Sequence, residues 1–291
     1  MQEVIDTFSE IYKKQGSSIF LDNYLLSEGT YFIAEKDECS IYEIKWGEPL
    51  DRENENIQFL ILADFYSRLI SMNKSVDKSK LIKSNNCYSL IINKKDLDKN
   101  DKVEKSLNLY YECLKEWAEN DKENANINFI QELVKCSLSE NIRGLSPDGR
   151  FKWFFKPEGW QEKYEKESYK YLSRNVFNAT IKGQELLGVP FDININSKKP
   201  YLMNKSRKVE YPLLITLDEA IMRWRFFEFL RCCVESGRKN IYADDTRIIP
   251  LNDRQHLKDV GVFFFTGYYL RIDMGKNGVF FKDMDTICNP I

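Results

Sequence analysis

The chain has 291 residues, with 43 Lys or Arg against 45 Asp or Glu and a single histidine. A net charge of −2, with 43% hydrophobic and 14% aromatic residues, excludes a disordered polyelectrolyte; it argues against sequence-blind coating of nucleic acid but not against a local basic groove. One histidine excludes multi-histidine metal cages, and the seven scattered cysteines form no C-x-x-C pair, so mostly buried, reduced thiols are expected.

Val4, Ile5, Phe8, Ile11 and Tyr12 recur at helical spacing, with Gly16 as a C-cap. Three β-rich runs follow, Ile19-Phe20-Leu21, Thr30-Tyr31-Phe32-Ile33 and Ile41-Tyr42-Glu43-Ile44, and predict a small antiparallel meander. Residues 57–72 are helical in pattern and 87–93 strand-like. Two acidic amphipathic helices are predicted over 102–120 and 126–139, the first lined by Val103, Leu107, Tyr110, Leu114 and Trp117. Turn clusters at 143–149 and 157–159 suggest a boundary, giving an N-terminal α+β domain over 1–145 and a second α+β region over 146–291. The second region opens with a helix over 161–176. Thr216-Leu217-Asp218-Glu219 then reads as a capping box opening a long helix to Ser236, closed by Gly237. Residues 262–273 and 278–285 predict a β-hairpin turning at Lys276-Asn277-Gly278. The fold class expected is α+β, with mixed short antiparallel sheets and helices and no regular βαβ alternation.

The first residues lack the basic start of a signal peptide. The longest apolar run, 260–270, falls short of the roughly 20 residues of a membrane span, so a soluble, cytoplasmic protein is expected.

Near-neutrality conceals segregation. Residues 96–124 carry nine acids against five lysines, a net −4. In 197–210, Lys198, Lys199, Lys205, Arg207 and Lys208 face only Glu210, a net +4. In 71–83, Lys74, Lys78, Lys80 and Lys83 face only Asp77, a net +3. Both basic stretches read as loops rich in Ser and Asn. Lys and Arg displace counterions from phosphates, and Tyr201, Asn204, Ser206, Asn85 and Asn86 would add hydrogen bonds to phosphate, ribose or base edges. On residues alone the ordinary solvated surface of such a chain is the stronger reading of a Lys/Asn-rich loop.

Other constellations are weaker. Arg223-Trp224-Arg225 on the capped helix divides between core and surface. Asp244-Asp245 and the group Asp273, Asp283, Asp285 hint at a metal-dependent nuclease, but carboxylates flanking a hairpin usually face solvent. His256 lies in a polar run and reads as an exposed loop or helix-start residue. Neither Cys87 nor Ser139 has a histidine close in sequence, and no Gly-rich phosphate cradle is present. The expectation is a binding protein, not an enzyme, without metal or cofactor.

Tyr66-Ser67-Arg68-Leu69-Ile70-Ser71-Met72-Asn73-Lys74 with Ile82-Lys83-Ser84-Asn85-Asn86 resembles the large subunit of type I-B CRISPR Cascade complexes. So does Lys198-Lys199-Pro200-Tyr201-Leu202-Met203-Asn204-Lys205-Ser206-Arg207-Lys208 with Pro212-Leu213-Leu214, and the likeness runs over essentially the whole chain. The resemblance implies a non-catalytic subunit of an RNA-guided antiviral surveillance complex. It would sit near the 5′ end of the CRISPR RNA, recognise the protospacer-adjacent motif in double-stranded DNA and help separate the strands. Its partners would be CRISPR RNA, target DNA, other Cascade subunits and a transiently recruited helicase-nuclease. Family members are longer and end in a helical bundle that is not found here, so this chain is expected to be an N-terminal portion or a shortened homologue. Combining both arguments, Lys83, Lys198, Lys199, Lys205, Arg207 and Lys208 would contact phosphates. Asn85, Asn86 and Asn204 would read the short motif, guide pairing carrying the rest of the sequence information, and Tyr201 is a wedge candidate. The alternatives are a protein–protein adaptor without nucleic-acid contact, or a metal-dependent nuclease using Asp273, Asp283 and Asp285.

Overall fold

The computed structural model describes residues 2–35, 38–45, 48–97, 99–141, 145, 148–174, 178–181, 184–187, 215–276 and 278–288. Among them, seven α-helices accompany two four-stranded sheets and a separate two-stranded hairpin, an α+β fold. The chain divides into two compact units, residues 26–175 and residues 1–25 together with 176–291.

In the unit of residues 26–175, β1 (Gly29–Glu35) and β2 (Glu38–Ile44) form a hairpin. β4 (Arg150–Phe155) inserts beside it, parallel to β1 and antiparallel to β3 (Ser89–Asn93), giving the order β2-β1-β4-β3. The expected boundary at 145/146 therefore moves: it would cut β4 away from both of its partners. Gly29 makes the parallel pairing possible, because its φ is +155° and a Cβ there would overlap the Arg150 carbonyl oxygen.

β4 is buried on both faces, which explains the continuous run Phe151-Lys152-Trp153-Phe154. Against one face lies α2 (Glu55–Tyr66), capped by Asn54, whose side-chain oxygen accepts from the amides of Asn56 and Ile57. The other face carries Trp153 and Phe155, their rings 6.3 Å apart, and Phe129 packs edge-on to Phe155. Phe129 belongs to α5 (Asp121–Asn141), which follows the short α3 (Lys94–Leu97) and α4 (Asn100–Lys115). Val103, Leu107, Tyr110 and Leu114 line the buried stripe of α4 as expected. Trp117 lies past the helix end, under the Arg174 guanidinium 5.4 Å from its ring. Arg174 ends α6 (Trp160–Arg174).

In the other unit, α1 (Gln2–Gln15) buries Val4, Ile5, Phe8, Ile11 and Tyr12. The run Ile19-Phe20-Leu21 does not extend the meander; Gly16–Phe20 is a 3-10 turn that drives Phe20 against Tyr12 and Phe229. Phe8 meets Phe226 and Phe229 of α7 (Leu217–Glu235) at 5.4 and 5.6 Å. α7 opens with the expected reciprocal capping box between Thr216 and Glu219, and Gly237 follows with φ +78°. Trp224 is buried, while Arg225 lies over the Tyr12 ring and Arg223 bonds Gln2. β5 (Asn178–Ile181) pairs β6 (Gln184–Leu187). The second sheet runs β10-β9-β7-β8, all antiparallel, from β7 (Asn240–Ala243), β8 (Ile248–Leu251), β9 (Gly267–Gly275) and β10 (Gly278–Ile287). The expected terminal hairpin is β9–β10, but its first strand starts at Gly267 because Val262 and Phe265 turn into a small core with Leu251 and Leu257. Asn277, at its turn, lies outside the described residues.

Among the described residues no helix is long and apolar enough to cross a membrane. Cys87, Cys232 and Cys233 are buried, whereas Cys39, Cys136 and Cys288 are exposed, fewer buried thiols than expected.

Candidate nucleic-acid interface

Lys83 is positioned by strand geometry. Its backbone N–H donates to the Ile91 carbonyl, and its ammonium donates to Asn93 Oδ1 at 2.6 Å. Asn93 sits directly opposite Arg150 across the β3–β4 ladder, so the two side chains share a face of the sheet. The Asn93 amide is held in turn by Asp96, which also binds Lys99 at 2.6 Å. Burial lowers the Lys83 ammonium below the ordinary lysine range, and the neighbouring charges of Arg150 and Lys95 lower it further against the pull of Asp96. Arg150 and Lys95 are exposed and have no ion pair or side-chain hydrogen bond among the described residues. Asp96, already bound to Lys99, offsets this gathering of like charges only in part, and like charges at a rim favour a bound anion because the ligand removes their mutual repulsion.

The floor of this rim is charged as well. Lys152, 1% exposed and one pleat inward from Arg150 on the same face, donates to Asp64 Oδ1 at 2.5 Å and to the Tyr31 hydroxyl at 2.7 Å. Burial pulls the Lys152 ammonium down while Asp64 holds it up; Arg150 and Arg68 add to the downward pull. A buried pair of this kind is weak as a stabiliser, but losing either partner strands the other charge.

Asn85 and Asn86 require a correction. Expected to present amides to bases, they are 1% and 0% exposed. Asn85 Nδ2 donates to the Arg68 carbonyl at 2.7 Å. Asn86 Nδ2 donates to Ser67 Oγ and to Asn85 Oδ1, while its own Oδ1 accepts from the Tyr88 amide and Ser89 Oγ. These groups stitch the end of α2 to the start of β3, beside the Arg68–Ser84 bridge. Buried amides need such partners, and both find theirs inside the protein.

Ahead of Lys83, the basic loop 71–83 is wound around Asp77, which is fully buried. Its carboxylate accepts from the backbone amides of Ser79, Leu81 and Ile82 and from Ser79 Oγ, which in turn meets Ser106 Oγ at 2.6 Å. Asp77, Arg150, Lys95 and Lys152 were not legible as members of one region. An isolated acid in a lysine-rich loop is the only local signal for Asp77; the others meet through a strand pairing that the sequence does not announce.

Lys198, Lys199, Tyr201, Asn204, Lys205, Arg207 and Lys208 lie outside the described residues. Asp273 is bound by Lys239 at 3.0 Å and by Lys282, which hold its carboxyl far below the usual range. No group of three or more His, Cys, Asp or Glu that could hold a metal occurs among the described residues. His256 is exposed and starts a 3-10 turn, its amide donating to Asp259. Burial pushes the Cys87 thiol well above its ordinary value, and Ser139 Oγ bonds the Cys136 carbonyl.

The chain matches no protein-family model, no curated protein and no solved structure.

Proposed function

We propose that the chain is a non-catalytic nucleic-acid-binding subunit of an RNA-guided CRISPR surveillance complex of type I-B, contacting CRISPR RNA and target DNA in antiviral defence. The observation that carries the binding reading is the convergence of Lys83, Arg150 and Lys95 at one rim, with Arg150 and Lys95 unpaired among the described residues. The particular complex rests on the resemblance around residues 66–86 and 198–214. Phosphate contact falls to the rim cations and to Lys198, Lys199, Lys205, Arg207 and Lys208. Motif reading falls to Asn204 and the wedge role to Tyr201, since the amides of Asn85 and Asn86 are occupied internally.

Fluorescence anisotropy with CRISPR RNA and a motif-bearing duplex tests this. Lys83→Ala with Arg150→Ala is expected to weaken binding by about 50-fold at 0.1 M salt and to lower the slope of log K against log salt by roughly 1.8, the value for two phosphate contacts. Salt-independent binding, or affinity unchanged by the double substitution, would sink the phosphate assignment. Copurification with a CRISPR RNA-bearing complex tests the assembly itself.

A further inference from the structure

We infer that the loop of residues 71–83 is a second, preformed phosphate contact of the same nucleic acid, made through Lys78 and Lys80; the inference rests on the nucleic-acid reading above. Among the described residues Lys80 is the one non-glycine residue with positive φ, at +62°. That is left-handed backbone, in which a Cβ crowds the following carbonyl, and glycine or asparagine fits it with less strain.

Nothing in the packing of the loop requires a lysine there. The turn is closed by the Lys80 amide donating to the Asp77 carbonyl, a bond that any residue except proline would make. The side chain is exposed, and among the described residues its ammonium meets only Asn73 Oδ1, at 3.3 Å. Elsewhere the loop is fixed independently. The Tyr171 hydroxyl donates to the Lys74 carbonyl and accepts from the Ile70 amide, and Ser75 Oγ donates to the Ile82 carbonyl. Strain persists where surrounding structure over-determines it, and such residues gather at binding sites.

Charge gives the occupant. The only acid of the loop, Asp77, is turned inward and saturated by amide and hydroxyl donors. Lys78 is exposed and has no ion pair or side-chain hydrogen bond among the described residues. The loop's own acid is therefore withdrawn from its outer face, which carries the exposed ammonium groups of Lys78 and Lys80 on a backbone pinned by these hydrogen bonds. Fixing the loop backbone before binding removes part of the entropy cost of gripping a phosphate backbone.

The test pairs stability with binding in the full chain. Lys80→Gly is expected to raise Tm by about 2 °C through relief of the left-handed strain. The same variant should weaken binding of a labelled 30-nucleotide RNA or duplex about five- to ten-fold at 0.1 M salt, with a slope lower by about 0.7–0.9, the loss of one contact. Lys80→Arg should retain the affinity without the gain in Tm, and Lys78→Ala should weaken binding with Tm unchanged. If Lys80→Gly and Lys78→Ala bind as the parent while Lys83→Ala with Arg150→Ala does not, the loop is no contact and the inference falls alone. A parent protein that binds neither RNA nor duplex overturns the nucleic-acid reading and this inference with it.

Discussion

Asn86 uses its whole amide inside the protein, and its backbone carbonyl accepts from the Tyr110 hydroxyl at 2.6 Å. Asn86→Ala leaves the Tyr88 amide and the Ser67 and Ser89 hydroxyls short of partners in a site without access to water. Each buried orphan costs about 1–3 kcal/mol, so a loss of roughly 2–3 kcal/mol is expected in urea unfolding. Nucleic-acid motif preference should be unchanged in the folded fraction; a shift in preference without loss of stability would restore Asn86 as a reader. A Ser-Asn-Asn run looks alike whether it faces solvent or seals a joint. Its direction depends on Ser67 and Tyr110, which lie 19 and 24 positions away. Lys83 stands out in sequence as part of a basic loop, but its placement through Asn93 beside Arg150 depends on the β3–β4 pairing, which no local pattern announces.

At the scale of elements, local pattern and structure agree where one helix buries one stripe. The five apolar positions of α1 and the capping box of α7 are of this kind. Agreement ends where elements meet across long separations. Tyr31 and Lys152 are 121 positions apart, yet they sit side by side on parallel strands, and no periodicity encodes that register. The junction of α5 and α6 is similarly nonlocal and is electrostatic. Lys166 binds Glu119 and Glu123, and Lys170 binds Glu123 and Glu167, at 2.8–3.0 Å. Against the upward pull of partial burial, the Glu119 amide and both lysines hold the Glu123 carboxyl down to about 2 from an ordinary 4.5. A depressed carboxylate contributes its stability above the unfolded value and loses it as pH falls through the folded one. Its contribution should therefore be complete above pH 4.5 and fade toward pH 2. Acid titration by circular dichroism should show Glu123→Gln less stable at neutral pH and flatter than the parent over that window. A parallel pair of curves would remove Glu123 from the junction.

For the molecule as a whole, the arrangement of the chain matters more than its composition. Residues 26–175 form a continuous unit, whereas the other unit combines residues 1–25 with 176–291. Deleting residues 1–25 takes Phe8, Tyr12 and Phe20 away from α7 and uncovers Phe226 and Phe229. Losing such aromatic packing costs about 3–5 kcal/mol per ring. Hydrogen exchange read by mass spectrometry should then show protection lost through α7 and β7–β10 but kept in β1, β3 and β4. Uniform loss in both units would show that they do not unfold separately.

The same discontinuity constrains how the protein is made. Gln2 and Arg223, hydrogen-bonded in the finished fold, are 221 positions apart. At about 5–20 residues per second, α1 leaves the ribosome roughly 10–40 s before the helix that covers it. During that interval the strands and helices of residues 26–175 have all emerged and are free to assemble, while Phe8 and Ile11 wait in water. The α1 segment is thus buried long after it is translated, and a chaperone that shields a short aromatic helix on the nascent chain would act there.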